Sequence, residues 1–366
     1  MKFSIQREAI LQPLSQVVGV VERRQTLPVL ANFLMVAGDG VLSVTGTDME
    51  VELVAKIGAD ISQPGEVTVP ARKLVDICRA LPDGANITFV QEGNQVLLRA
   101  GRSRFTLSTL PASEFPATDD VEAIENINIK ESELKNILDK TAFAMANQDV
   151  RYYLNGLLLD FNGTVLRAIA TDGHRLAICD MDRGAALAED RQLIVPRKGV
   201  LELARMLDGG DEEVSIGIGK NHIRLVKDGT TFTSKLIDGR FPDYQAVIPV
   251  GADKNVSLNR ADFVNALQRA AILSNEKYRG VKLEVAENSM KIVAHNPQHE
   301  EAVEELAVEQ NFDQVSIGFN VTYLLDALSA LDEETVSLQL RDSNSSCLVT
   351  DPDNNHNRHV VMPLKL

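Results

Sequence analysis

The chain holds 366 residues, 44% hydrophobic and 24% charged, which fits a folded globular protein of two or three domains and excludes a disordered one. No apolar run approaches the roughly 18–20 residues of a membrane span. Glu8 and Gln12 arrive too early for a signal-peptide core, and the scattered Cys78, Cys179 and Cys347 form neither a disulfide framework nor a CxxC pair, so a reduced, cytoplasmic protein is expected.

Taken in chain order, the first strand-like stretch is Phe3-Ser-Ile-Gln, followed by a helical pattern over 7–18. An alternating strand sets Leu42, Val44 and Gly46 against Val41, Ser43 and Thr45, and runs into Thr47-Asp48. The phrase VTVPARKLVDICRAL predicts a strand and then a helix over 71–80, with Leu74, Val75, Cys78 and Leu81 on one face. A turn is expected near Gly101. The same order then begins again. Ile127-Asn-Ile-Lys opens a second copy with a helix over 131–140, and Leu134, Ile137, Leu138 and Phe143 fall at helical spacing. Thr171-Asp172 follows 124 positions after Thr47-Asp48, and Pro196 stands 126 after Pro70, at the start of a helix over 197–207. Lys227-Asp228-Gly229-Thr230 reads as a hairpin turn. Val256-Ser-Leu-Asn opens a third copy, with helices over 260–271 and 320–331, His295 a further 124 beyond Thr171, and a turn near Asp353-Asn354.

Such self-similarity predicts an α+β architecture of three repeated domains, each with two helices packed on antiparallel sheets. The expected domains are 1–120, 121–250 and 251–366, with linkers at Asp119-Asp120 and over 250–254. Sheet edges need covering, and units joined edge to edge into a closed ring would leave none.

Catalytic signatures are sparse. His295 and His299 are four apart, but no Glu follows His295 as a zinc protease motif requires. The stretch from Asp351 to Asn357 lacks the central Gly and terminal Glu of a calcium loop. Gly209-Gly210-Asp211 reads as a helix-ending turn rather than a phosphate cradle. Neither a metal nor a cofactor is expected. Thr171-Asp172-Gly173-His174-Arg175 could pass for an acid/base pair at Asp172 and His174, yet its counterpart Thr47-Asp48-Met49-Glu50 has neither His nor Arg. A turn or binding loop is the competing reading.

Net charge is −15 and aromatic content only 5% with no Trp, which taken alone argues against nucleic acid. The charge is unevenly spread. The six helical segments hold 11 Lys and Arg against 8 Asp and Glu, whereas the rest of the chain holds 26 against 44. The basic excess gathers at Arg72, Lys73 and Arg79, and at Arg197, Lys198 and Arg205. These are either ordinary solvated helix faces or a surface that meets a polyanion through its backbone, without reading its sequence.

Several long phrases carry a resemblance: TLPVLANFL (26–34), VPARKLVDICRALP (69–82), GRSRFTLSTLPASEFP (101–116), ATDGHRLA (170–177), VPRKGVLELARMLDGG (195–210), RAAILSNEKYRGVKL (269–283) and VVMPLKL (360–366). Together they resemble the beta sliding clamps of bacterial DNA polymerase III over essentially the whole chain. The resemblance implies a non-enzymatic, head-to-tail homodimeric ring that encircles duplex DNA and tethers polymerases, a clamp loader and repair proteins through short peptides. A protein-interaction scaffold without DNA encirclement is the alternative.

Onto matching positions the resemblance carries DNA contact at Arg24, Gln148, Tyr152, Tyr153, Arg197 and Lys198, to which the charge pattern adds Arg72, Arg79 and Arg205. The two tyrosines could equally be half-buried beside the peptide cleft. That cleft matches Leu154, Thr171, Gly173, His174, Arg175, Leu176, Pro242, Val247, Tyr323, Ser346, Val360, Val361, Met362, Pro363 and Leu364, with Ala246 and Asn344 departing from the familiar pattern. The implied dimer contact sets Phe105 and Leu107 against Ile272 and Leu273, flanked by Lys73, Arg102 and Arg104 facing Glu300, Glu301 and Glu304.

Overall fold

The computed structural model describes residues 1–22, 27–116, 123–184, 186–310, 312, 314–352 and 354–365. Its α-helices are α1 (Arg7–Val17), α2 (Ala71–Ala80), α3 (Glu131–Asp139), α4 (Arg197–Met206), α5 (Arg260–Ala271) and α6 (Val321–Ser329), within two or three residues of the sequence expectation. Each follows a strand with no intervening loop, as Gly65–Pro70 runs into α2 and Gln314–Asn320 into α6. Residues suited to the junction close it. The Asn320 side chain accepts N–H bonds from Thr322 and Tyr323, and Asn259 accepts one from Asp262. One stripe of each helix is apolar and buried: Leu74, Val75 and Cys78 in α2, and Phe263, Ala266, Leu267 and Ala270 in α5.

The strands form four antiparallel sheets among the described residues. Eight strands make one of them, in the order Glu125–Lys130, Glu213–Ile218, His222–Lys227, Thr230–Lys235, Val51–Gly58, Val41–Thr47, Asn32–Gly38 and Gly65–Pro70. It passes from the second repeat into the first where Thr230–Lys235 pairs with Val51–Gly58. A nine-stranded sheet does the same between the second and third repeats, where Arg175–Asp182 pairs with Asn354–Val361. Two smaller sheets remain. The five-stranded one ends on Ser103–Ser108, and the four-stranded one ends on Glu301–Ala307.

Because sheets cross the repeat boundaries, the chain divides into two compact units that do not follow the repeats. One is Met1–Ser132 with Lys198–Leu236, and the other is Glu133–Arg197 with Ile237–Leu366. In the second unit a core of Phe263, Leu267, Phe319 and Leu324 lies between α5, α6 and the sheets. Burying each such side chain contributes roughly 1.5–3 kcal/mol.

The predicted hairpin at Asp228-Gly229 is a two-residue turn with φ of 48° and 74°, the left-handed conformation that Asp-Gly favours. Gly209-Gly210 does end α4, and the Gly209 N–H donates to the Glu131 carboxylate at 2.9 Å. Burial favours protonation of Glu131, but Lys227 and the Gly209 and Asp208 amides outweigh it and hold the group below the ordinary carboxylate range. Among the described residues no helix is long and apolar enough to cross a membrane.

Candidate functional site

The segment Thr171–Arg175 joins two strands by a turn built from its own side chains. The Thr171 hydroxyl donates to the Arg175 carbonyl at 2.6 Å and accepts the Gly173 N–H at 3.1 Å. One oxygen of Asp172 accepts the N–H groups of His174 and Arg175 at 2.9 and 3.1 Å. Its other oxygen takes Arg175 Nε at 3.1 Å. Asp172 is therefore occupied in holding the turn and is not free to work with the His174 ring as an acid/base pair. His174 is exposed, and its ring stacks on Tyr323 with centroids 6.4 Å apart.

Arg175 is the hub of the site. It bonds Asp326 and donates to the Phe143 carbonyl at 2.8 Å, and its guanidinium carbon lies 4.6 Å from the Tyr323 ring centroid and 5.3 Å from that of Phe143. Burial raises the Tyr323 hydroxyl pKa above its ordinary value. Nothing in the sequence of α6 separates Asp326 from a solvated position, so sequence reasoning misses it.

Around this hub, most of the expected cleft positions come together. Leu176 pairs with Val360 and Arg175 with Val361, across the two strands that join repeats two and three. Leu154, Leu176 and Val360 are buried in one apolar cluster with Phe241 and Tyr244, and half-buried Val247 packs against it. The Ser346 hydroxyl reaches the Val247 carbonyl at 3.4 Å, and Pro242 is exposed. The C-terminal tail leaves its strand here, with the Met362 N–H donating to the His174 carbonyl at 2.9 Å and the Leu364 N–H to the Gly318 carbonyl at 2.8 Å. Half-buried Met362, Pro363 and Leu364 thus flank the turn. Val361 is 1% exposed and belongs to the core of the third repeat, so it supports the cleft from behind.

The loop after α3 is laced by Asn155, which accepts the Asp149 N–H at 2.9 Å and donates to the Asp149 carbonyl at 2.8 Å. Arg151 binds the Asp149 carboxylate through two nitrogens, at 3.0 and 2.8 Å, and holds its pKa down to about 2. This leaves Val150 95% exposed and Tyr152 56% exposed, whereas Tyr153 is half-buried against the cleft's apolar cluster. Half-burial beside the cleft thus describes Tyr153 and not Tyr152. Gln148 sits in the same loop with φ of 58°.

The expected basic positions are less free than the sequence reads. Lys198 donates to the Val20 carbonyl at 2.8 Å and also meets Glu22 and Asp48. Arg205 pairs with Glu202 at 2.7 Å, Arg72 donates to the Val21 carbonyl at 2.7 Å, and Arg197 donates to the Met145 carbonyl at 3.1 Å. Arg79 is exposed, 3.8 Å from Asp76. Arg24 lies outside the described residues.

Of the expected dimer-contact residues, Ile272 at the end of α5 is 76% exposed, Leu273 and Phe105 are half-buried, and Lys73, Arg102, Arg104, Glu300 and Glu301 are exposed. Leu107 is 7% exposed and lies on the same strand face as Phe105. Glu304 is engaged by Arg269 at 2.6 and 2.9 Å. His295 and His299 are exposed, and among the described residues no three metal-ligating groups converge.

Family models for the N-terminal, central and C-terminal domains of the DNA polymerase III beta subunit match residues 1–119, 128–243 and 245–365. The beta sliding clamp of Pseudomonas aeruginosa is 54% identical over 367 residues, covering 100% of both chains, and that of Escherichia coli K12 is 50% identical with the same coverage. The crystal structure of the DNA polymerase III subunit beta from Pseudomonas aeruginosa superposes with a TM-score of 0.95 and covers 100% of each chain.

Proposed function

The chain belongs to the beta sliding clamps, the non-catalytic subunits that act as processivity factor of DNA polymerase III, and from that premise we propose that it closes head to tail with a second copy around duplex DNA. In this reading three domains, 1–120, 121–250 and 251–366, each supply one third of a protomer, and the ring works in the cytoplasm without cofactor or metal.

The observation that carries ring closure is the pattern of sheet junctions. Two junctions lie inside the chain, Thr230–Lys235 on Val51–Gly58 and Asn354–Val361 on Arg175–Asp182. The equivalent strands left over are Ser103–Ser108 and Glu301–Ala307, both at sheet edges. Joining five strands to four would give a third sheet like the internal ones. Side chains fit the same logic. Val303 is 53% exposed, yet Ile178, which pairs with Ile169 as Val303 pairs with Val293, is 0% exposed at an internal junction. Half-buried Phe105 corresponds to Phe232 and His359, both buried there. Such a contact is heterologous and closes on two copies. Ile272→Ala with Leu273→Ala should yield a folded monomer by sedimentation and circular dichroism, and an unfolded product would overturn this interface.

DNA contact is assigned to Arg24, Arg72, Arg79, Gln148, Tyr152, Arg197, Lys198 and Arg205, with Tyr153 divided between DNA and cleft. Since several of these cations already have carboxylate or carbonyl partners, direct binding should be weak, salt-dependent and indifferent to sequence. Ring closure, rather than affinity, would then hold the protein on DNA. Retention on circular DNA and loss from linear ends separates this from a scaffold without encirclement.

The cleft is proposed to take short extended peptides of polymerases, the clamp loader and repair proteins. Its apolar centre at Leu154, Leu176, Val247 and Val360 would receive aliphatic or aromatic anchors, and flexible Met362 can repack around different ones. Deleting residues 362–366 should leave a folded dimer that binds a polymerase-derived peptide at least tenfold more weakly, about 1.4 kcal/mol. Unchanged affinity in a folded truncation would reject the site.

A further inference from the structure

A second concavity lies on the far side of the C-terminal tail from the cleft. We propose that it docks the extended, acidic and apolar segment that flanks a partner's clamp-binding peptide. The proposal rests on the cleft reading above and extends it to a second surface.

The cavity measures about 1360 Å³, above the usual range of roughly 300–1,000 Å³ for small-molecule sites. That size and its open form suit a length of chain better than a metabolite. Its floor is the outer face of the four-stranded sheet, at Lys282, Val293 and His295. Tyr278, 54% exposed, stands on one side, and Pro363 and Leu364 of the tail stand on the other.

Continuity with the cleft comes from the tail itself. Met362 bonds the turn at His174, whereas Leu364, two residues on, bonds Gly318 on the edge strand Gln314–Asn320. The tail is thus a narrow divider between the two depressions. A peptide leaving the cleft past Pro363 and Leu364 enters this groove directly. The groove also borders a sheet edge that already accepts one extended segment, the tail, which favours an extended occupant over a helix.

Charge specifies the occupant further. Lys282, His295 and Lys365 line the groove, and among the described residues no Asp or Glu does. Lys282 meets Glu284 at 2.7 Å and His295 meets Glu301 at 3.5 Å, both from outside the lining, while Lys365 is exposed at the rim. On a chain of net charge −15, a concave surface whose described ionisable side chains are two lysines, a histidine and a tyrosine selects acidic residues. Tyr278, Val293 and Leu364 supply apolar area between those charges.

The test compares peptides by fluorescence anisotropy on the full-length protein. One is a fluorescein-labelled, polymerase-derived clamp-binding hexapeptide. The others are the same peptide extended at its N or C terminus by Asp-Phe-Asp-Leu. One extension should tighten binding at least fivefold. Lys282→Glu with Val293→Asp, an exposed and a half-buried position on the outer sheet face, should reduce that gain below twofold and leave the hexapeptide's affinity unaltered. A gain that survives the double substitution, or no gain from either extension, overturns the groove. Failure of the hexapeptide itself to bind would instead sink the cleft reading, and this proposal with it.

Discussion

The turns Thr47–Val51 and Thr171–Arg175 share one backbone and differ in what they carry. In both, the Thr hydroxyl donates to the carbonyl four residues on, at 3.0 and 2.6 Å, and one Asp oxygen accepts two successive N–H groups. In both, an N–H of the neighbouring repeat closes onto the turn at 2.9 Å, Lys235 to Glu50 and Met362 to His174. The third repeat keeps the device with Asn296, whose side-chain oxygen accepts the Gln298 and Glu300 N–H groups. The surroundings then diverge. Beside the first turn stand Glu50 and Lys235, 3.9 Å apart, and Asp48 is bound to Lys198. Beside the second stand His174, Tyr323 and Met362 over an apolar cluster. A repeated turn provides the frame, and a few side chains decide which junction becomes a binding site.

The largest expected effect separates the two cations that the Asp residues hold. The Arg175 side chain is 13% exposed and joins Asp172, Asp326, the Phe143 carbonyl and two rings. Arg175→Ala should lower unfolding free energy by about 2–4 kcal/mol, because it removes a nearly buried cation and leaves two half-buried carboxylates without it. The Lys198 side chain is 27% exposed, and Lys198→Ala should cost only about 1 kcal/mol. Urea unfolding of both variants checks this, and equal losses would erase the distinction between the turns.

A second difference concerns the strands that close the junctions. Phe232 and its repeat equivalent His359 are 0% and 1% exposed. Burial, reinforced by Lys140, pushes the His359 pKa from 6.5 down to about 3. The unfolded chain therefore binds a proton that the folded one refuses between these values. The stability contribution is complete above about pH 6.5 and is lost as pH falls toward 3, with a slope of up to about 1.4 kcal/mol per pH unit from this group. His359→Phe, which copies the first junction, should flatten the urea midpoint between pH 7 and pH 5. A variant as acid-sensitive as the parent would assign the slope to other groups.

The repeat was legible because helices and strands impose periods on apolar residues, and a 124-residue offset keeps the Thr-Asp turns in register. The α-helices among the described residues follow from that pattern. The cleft was legible only through resemblance, since Leu154, Val247 and Val360 look like any core residues until strand pairing gathers them. Charge was the least legible feature. Lys198 reads as a free cation, but its carboxylate partner Asp48 lies 150 positions away.

The smallest effect tests the third position of each turn. Met49 and Gly173 both have left-handed backbones, with φ of 77° and 87°. An L side chain there costs roughly 1–2 kcal/mol, and Met49 recovers little of it because its side chain is 48% exposed. Met49→Gly should therefore leave stability unchanged or raise it by up to about 1 kcal/mol, with no effect on peptide binding. Gly173→Ala should do the reverse. It adds backbone strain, and its new Cβ would lie 3.0 Å from the Arg151 guanidinium. That group can shift, since its partners among the described residues are Asp149 and, through a 3.3 Å bond, the Asp172 carbonyl. Moving it loosens the loop that carries Tyr153 against the cleft. The expected outcome is a loss of about 1 kcal/mol in stability together with a two- to threefold weaker peptide affinity. If Gly173→Ala weakened stability and left peptide affinity untouched, the turn would be a frame for the cleft and not part of its wall.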